Sequence, residues 1–347
     1  MPLFDNMLKD NESLFKDEDT LDFDYLPELL PYRENQQQYL AECIKPLIQG
    51  RQGKSLLISG APGIGKTSCV KFVFRELLEM TDDVKPVFIN CWKKQTTNAV
   101  LADVANQLGA IGAQFKNNEE LWDAVQKGLK RFKGIVLAFD EIDKAKEHDF
   151  LYQIIENVPR FTILLITNER DFLANMDTRI RSRLVVEELE FPAYKKAEVA
   201  GILEERKKYA FVSGVWSKEA FEMVIEKCCS KGDIRTGLVL MREAGRSAEK
   251  EASKRITVEH VMKSKAGILD IQASDLDERE KRVLSVIKEN RGVETGKLAE
   301  LLKEEGLNIP DSTLRRVLQK LDKGGYIFRE PAQAEGGGQT MKHYVDE

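Results

Sequence analysis

Residues 60–67 read GAPGIGKT, the spacing GxxxxGK[ST], and the octapeptide stands between an apolar run, SLLIS (55–59), and a helical pattern, SCVKFVFRELLEM. No other feature limits the fold as strongly. Gly60, Gly63 and Gly65 permit backbone angles that turn successive N–H groups toward phosphate oxygens, and the helix that follows presents its positive end to the same place. Pro62, Ile64 and Ser68 complete the stretch that would touch the nucleotide. Lys66 is placed to contact the β- and γ-phosphates, and Thr67 to offer a hydroxyl to Mg²⁺. The strand and helix on either side supply the context such a loop requires, so ATP or ADP with Mg²⁺ is the expected cofactor.

Further β-rich runs, PVFIN (86–90), GIVLAF (134–139) and FTILLIT (161–167), alternate with helical patterns. That alternation predicts a parallel sheet with helices on both faces, an α/β fold. Two helical patterns, around 97–109 and 118–131, fill a connection where a single crossover helix would suffice. After FPAY (191–194) the β-runs stop, and helical patterns continue to about Gly267. The expected organisation is an acidic arm over 1–24, a nucleotide-binding α/β domain over 25–192, a helical lid over 193–268 and a further domain over 275–347.

The run GIVLAF leads into DEID (140–143), so a buried strand delivers two adjacent carboxylates beside the phosphate loop. Asp140 is the expected Mg²⁺-side acid. Glu141 is the candidate base, since a carboxylate there can polarise a water in line with the γ-phosphate. The next strand ends in ITN and brings Asn168 to the same edge, where its amide can bond both the lytic water and the γ-phosphate.

The formal net charge of −5 over 347 residues argues against a protein that coats nucleic acid or anionic lipid through overall charge. The first 24 residues hold eight acids and two lysines, however, which leaves the remainder at +1. The arm reads as mobile and without structure. No apolar stretch approaches the ~20 residues that span a bilayer, and the N-terminus shows neither a basic nor a long apolar region. The expectation is a cytoplasmic, nucleoid-associated protein with no membrane partner. Five cysteines without CxxC spacing read as reduced core residues, and three scattered histidines argue against a zinc site.

The last domain reads as three short helices (about 277–290, 295–305 and 311–323) followed by GGYIF, a glycine-rich tip and MKHYV, which is the winged-helix order. Residues 313–329 carry five bases against one acid, a local +4. In the third helix Leu314, Val317, Leu318 and Leu321 fall at i, i+3, i+4 and i+7 and form a buried stripe. Thr313, Arg315, Arg316, Gln319, Lys320 and Lys323 take the remaining surface, which suits a recognition helix in a major groove. Arg329 and Lys342 stand at the base of the wing. The alternative is a winged helix used for protein contact.

Together the loop, the acid pair, the strand-end Asn and the helical lid resemble the AAA+ ATPases. More specifically the chain resembles the archaeal replication initiators of the origin-recognition and cell-division-cycle type. PYRENQ (31–36), FINCWKKQT (88–96), DTRIRSRL (177–184), FPAY (191–194), ILEERKKYAF (202–211), DIRTGLVLMREAG (233–245) and ITVEHV (256–261) carry that resemblance in order. It implies that Tyr194 and Arg206 flank the nucleotide and that Arg235 is the lid arginine touching the γ-phosphate, although Ile234 stands where the family has a small residue. It also implies that Arg183, or else Arg179, acts as a finger toward a neighbour's ATP, and that the extra helix after the second strand contacts DNA. The implied function is an initiator that recognises double-stranded origin repeats, forms homo- or hetero-oligomers on DNA, helps load the replicative helicase and hydrolyses ATP slowly as a switch. Two alternatives remain open: a regulatory ATPase acting at promoters, and a clamp-loader-like assembly factor.

Overall fold

The computed structural model describes residues 13–113, 116–169, 171–264, 277–290, 292–304, 307, 309–323, 326–333 and 339–344. Residues 1–12 of the arm, most of the joint at 269–278 and the wing tip at 334–338 lie outside the described residues. The chain divides into two compact units. One comprises Phe15–Ser213 with Ile225–Leu238; the other takes Gly214–Val224 and Val239–Glu347 together with the N-terminal residues as far as Leu14. The division falls within the helices Lys218–Lys231 and Ile234–Lys250.

In the first unit five parallel strands, β1 (Ser55–Ser59), β2 (Val84–Asn90), β3 (Gly134–Asp140), β4 (Phe161–Thr167) and β5 (Val186–Glu190), are ordered β2-β3-β4-β1-β5. Alternate strand residues face opposite sides. Leu57, Ile89, Leu137 and Leu165 pack into one core with α3 (Thr97–Gln107), α4 (Asn118–Leu129) and α5 (Asp149–Asn157). Leu56, Ile58, Ala138 and Leu164 pack into a second core with α1 (Glu34–Ile48) and α2 (Lys66–Met80). Burial on both faces is why the central strands read as unbroken apolar runs.

Sequence reasoning missed β5, VEELE. It pairs with β1 alone, in the register Ser55↔Val186 to Ser59↔Glu190, and carries the charges of an edge strand instead of an apolar pattern. Lys54 and Tyr39 both hold Glu187, Lys54 Nζ lying 2.9 Å from its carboxylate.

The arm is the clearest correction. The expectation of an unstructured segment fails over residues 13–24: Glu18–Leu21 forms a 3-10 turn capped by the Asp17 carboxylate, and Thr20 and Leu21 are buried. Lys16 N–H donates to Ala210 O at 2.8 Å, at the end of α7 (Lys196–Ala210), and the Phe15 and Phe211 rings stand 4.8 Å apart. The acid count concealed two apolar anchors, Phe15 and Leu21, while Asp17 serves as a cap. Short α6 (Thr178–Arg183) precedes β5; α8 (Lys218–Lys231) and α9 (Ile234–Lys250) follow α7.

The C-terminal part has the expected order: α10 (Glu278–Glu289), β6 (Val293–Glu294), α11 (Thr295–Glu304), α12 (Asp311–Lys323), β7 (Phe328–Gln333) and β8 (Gln339–Tyr344). The three strands form an antiparallel sheet, β6-β8-β7. Leu314, Val317, Leu318 and Leu321 are buried against Val283, Ile287, Leu298 and Leu302, as the helical spacing predicts. No helix among the described residues is long and apolar enough to cross a membrane. None of the five cysteines is in a disulfide, four of them are buried, and no His/Cys/Asp/Glu group among the described residues could by itself hold a metal ion.

Candidate nucleotide site

β1 and β4 are neighbours in the sheet, but their connections leave in opposite directions, so a crevice opens at their carboxyl ends. The loop after β1 and Asn168 after β4 face that crevice. Gly60, Gly63 and Gly65 all have positive φ (148°, 69° and 90°), the conformation that only glycine adopts readily. α2 begins at Lys66 directly behind them.

Buried Lys66 donates through Nζ to Gly60 O (2.7 Å), Ala61 O (2.8 Å) and Asn168 Oδ1 (2.8 Å). Burial lowers its ammonium to about 8. Thr67 Oγ1 donates to the Asp140 carboxylate, 3.1 Å from each oxygen. Burial raises Asp140 above the usual carboxylate range, with the Thr67 hydroxyl opposing that rise. A desolvated carboxylate beside a hydroxyl is a hard oxygen pair with spare negative charge, which fits Mg²⁺ held partly by protein and partly by phosphate. Glu141 occupies the left-handed region (φ 52°), uncommon for a non-glycine residue, at the start of the turn Ile142–Lys144. Burial, followed by the Asp140 and Asp143 charges, raises its carboxyl, a direction that suits a base.

These groups line one cavity of about 530 Å³, which Tyr194, Arg206 and Arg235 also reach. The Tyr194 hydroxyl lies 2.9 Å from where a Cβ on Gly65 would stand, so it packs directly on the loop. Ile234 N–H donates to Gly63 O at 3.3 Å, and Arg235 N–H to Asp233 Oδ1 at 2.8 Å, which seats the start of α9 on the phosphate loop. Arg206 has a second employment: its guanidinium donates to Thr20 O (3.0 Å) and Tyr25 O (3.3 Å) and lies over the Tyr25 ring. It thus fastens the N-terminal segment, whose Phe23, Tyr25 and Leu26 form part of the cavity wall.

Arg179 and Arg183 are not brought to this cavity. Arg179 pairs with Asp177 at 2.8 Å, and Arg183 pairs with Glu156 over the Tyr152 ring. In α12 the side chains of Arg315, Arg316 and Gln319 are exposed and that of Thr313 is half-buried; Lys342 is half-buried on β8. The Lys320, Lys323 and Arg329 side chains lie outside the described residues. Sequence reasoning overlooked Arg33. It is buried, donates to Ile64 O (3.0 and 3.2 Å) and Pro192 O (2.8 Å), and stacks on Tyr194 with its guanidinium carbon 3.8 Å from the ring centroid. Its place in PYRENQ was visible, but nothing local tells a buried cation from a solvated one.

A parallel sheet of this order, with a phosphate loop, a strand-end acid pair, an Asn on the adjacent strand and a helical segment seated on the loop, defines an AAA+ ATPase. One family model, the AAA domain, matches residues 49–173, and another, the Cdc6 AAA+ ATPase-type lid domain, matches residues 200–266. The ORC1-type DNA replication protein 2 of Methanosarcina mazei is 31% identical over 307 residues, covering 83% of this chain and 82% of that protein. The ORC1-type DNA replication protein 1 of Aeropyrum pernix is 31% identical over 354 residues, covering 93% and 89%. The solved structure of the Aeropyrum pernix ORC1 protein in complex with DNA superposes with a TM-score of 0.75 at 29% identity, covering 96% of this chain and 94% of that one. The chain belongs to the archaeal ORC1-type DNA replication proteins.

Proposed function

We propose that this ATPase is a replication initiator whose grip on double-stranded origin DNA is set by the nucleotide it holds. The observation that carries the proposal is the seating of Ile234 on Gly63, with Arg235 in the same cavity as Lys66 and Glu141. A γ-phosphate between Lys66 and Arg235 would bear on both the loop and α9, so its loss would free that junction. In this reading 25–192 binds the nucleotide, 193–268 is the lid and 275–347 reads DNA through Thr313, Arg315, Arg316, Gln319, Lys320 and Lys323, with Arg329 and Lys342 on the wing.

At the reaction centre, Thr67 and Asp140 would hold Mg²⁺, which when bound neutralises phosphate oxygens. Lys66 stabilises charge on the transferring group, Glu141 takes the proton of the attacking water, and Asn168 orients that water. Gly60, Pro62, Gly63, Ile64, Gly65 and Ser68 enclose the phosphates, and Tyr194 and Arg206 stand beside the nucleotide. A single base and slow turnover suit a switch. Exposed Arg183, or Arg179, would complete a neighbour's site in an oligomer on DNA, and the loaded partner would be the replicative helicase. Working on chromosomal DNA, the protein would be cytoplasmic and nucleoid-associated.

Fluorescence anisotropy with ATP present, on an origin-repeat duplex and a scrambled one, tests this. Tighter binding to the repeat at physiological salt is expected. Arg315→Ala with Arg316→Ala should reduce the salt slope by about one for each phosphate that is no longer neutralised. Equal affinity for both duplexes would remove sequence-specific origin recognition from the proposal.

A further inference from the structure

The geometry points to Asp143 as a positioning residue that, through Thr167, holds the base and the water-orienting amide in fixed relation. This rests on the proposed roles of Glu141 and Asn168. The backbone ladder between β3 and β4 ends at Phe139↔Leu165. Both functional residues lie beyond that last pair, Glu141 two positions past Phe139 and Asn168 three past Leu165. Another link must therefore set their separation.

Asp143 supplies it. Its side chain is 1% exposed, and its Oδ1 accepts the Thr167 hydroxyl at 2.9 Å. The same hydroxyl oxygen accepts Glu169 N–H at 3.0 Å, so Thr167 closes the backbone turn that carries Asn168. At the other end, Lys144 N–H donates to Glu141 O at 2.9 Å, closing the turn that carries Glu141 with Asp143 inside it. One buried carboxylate thus joins the two turns. The Lys144 ammonium, 2.6 Å from Oδ2, compensates its charge, as a buried carboxylate requires.

Neither Asp143 nor Thr167 needs to touch phosphate or water. Their contribution is distance, and a displacement of about 1 Å at a reacting group costs on the order of 100-fold in rate. Nucleotide binding relies on the loop and on Lys66, which the loop carbonyls of Gly60 and Ala61 hold independently of Asn168, so turnover should fall further than affinity.

The test uses the full chain, measuring single-turnover ATP hydrolysis beside the affinity for a fluorescent ATP analogue. Thr167→Val keeps the shape and removes the hydroxyl. Turnover is expected to fall roughly 10- to 100-fold with affinity within about threefold of the parent. Thr167→Ser should recover most of the loss, Asp143→Ala should reproduce it from the other end, and the double variant should be no slower than either single one. Parental turnover in Thr167→Val and Asp143→Ala, with Glu141→Gln inactive, overturns the inference alone. A parallel fall of affinity and turnover that Thr167→Ser does not rescue makes the pair merely structural and also overturns it. Full turnover in Glu141→Gln instead overturns the base assignment, and this inference with it.

Discussion

Lys66 shows how a single residue's surroundings set its chemistry. It is buried among carbonyl oxygens and the Asn168 amide, and burial lowers its ammonium to about 8 while the Asp140 charge opposes that shift. A lowered value means that the neutral amine gains ground as pH rises through 8. A polyphosphate favours the ammonium form, so binding above that pH must take up a proton, and affinity must fall as the solution becomes more alkaline. Calorimetry at pH 8.5 in buffers of different ionisation enthalpy should read that uptake; equal heats in all buffers would contradict it. Glu141 is shifted the other way, raised by burial, so Lys66 and Glu141 move toward each other from their ordinary values. Groups whose titration is shifted by burial in this way cluster at functional sites.

At the level of elements, the sequence yielded most where a single physical pattern dominated. The runs that became β1, β3 and β4 are buried on both faces and were legible as apolar stretches, and α12 was legible from the i, i+3, i+4, i+7 spacing of Leu314, Val317, Leu318 and Leu321. β5 was hidden because an edge strand is selected to look polar, and its partner β1 lies far earlier in the chain. The N-terminal segment was hidden because its anchors, Phe15 and Leu21, are few and its partners, Ala210 and Phe211, are distant. The loop, the acid pair and Asn168 could be read locally because the motif carries its own geometry. Arg33 could not, since its role depends on Ile64, Pro192 and Tyr194 arriving from elsewhere. Fully buried Leu21 gives a direct check on the corrected segment. Leu21→Ala should cost about 2–5 kcal/mol in urea denaturation, because nothing refills the space beneath the 3-10 turn. A loss near zero would return the segment to the mobile arm first expected.

For the whole molecule, ligand binding and stability are linked by mass action. Any nucleotide bound to the folded form at 100 times its dissociation constant adds about 2.7 kcal/mol. In the proposed site ATP would offer one more phosphate than ADP to Arg235 and Lys66, so at equal concentration ATP should raise Tm further. Arg235→Ala should erase the difference while leaving the ADP shift in place, and identical shifts for both nucleotides in the unaltered protein would refute the γ-phosphate role. Charge is likewise a whole-molecule property that misleads when summed. The first 24 residues carry −6, and the remaining chain sums to +1 with a local +4 over residues 313–329. Long-range attraction to DNA would therefore be weak and orientation-dependent.

Gly63 sets the tolerance on the junction between the loop and α9. A Cβ built there would come within 1.7 Å of Asp233 Oδ1. That spot has capacity for a hydrogen and for nothing larger, and the side chain that blocks it is the one receiving Arg235 N–H. The fit works like a keyed joint machined without clearance. One added methyl would act as a shim, pushing the Asp233 carboxylate aside and with it the bond that Arg235 N–H makes, while every atom of Lys66, Asp140 and Glu141 remained present.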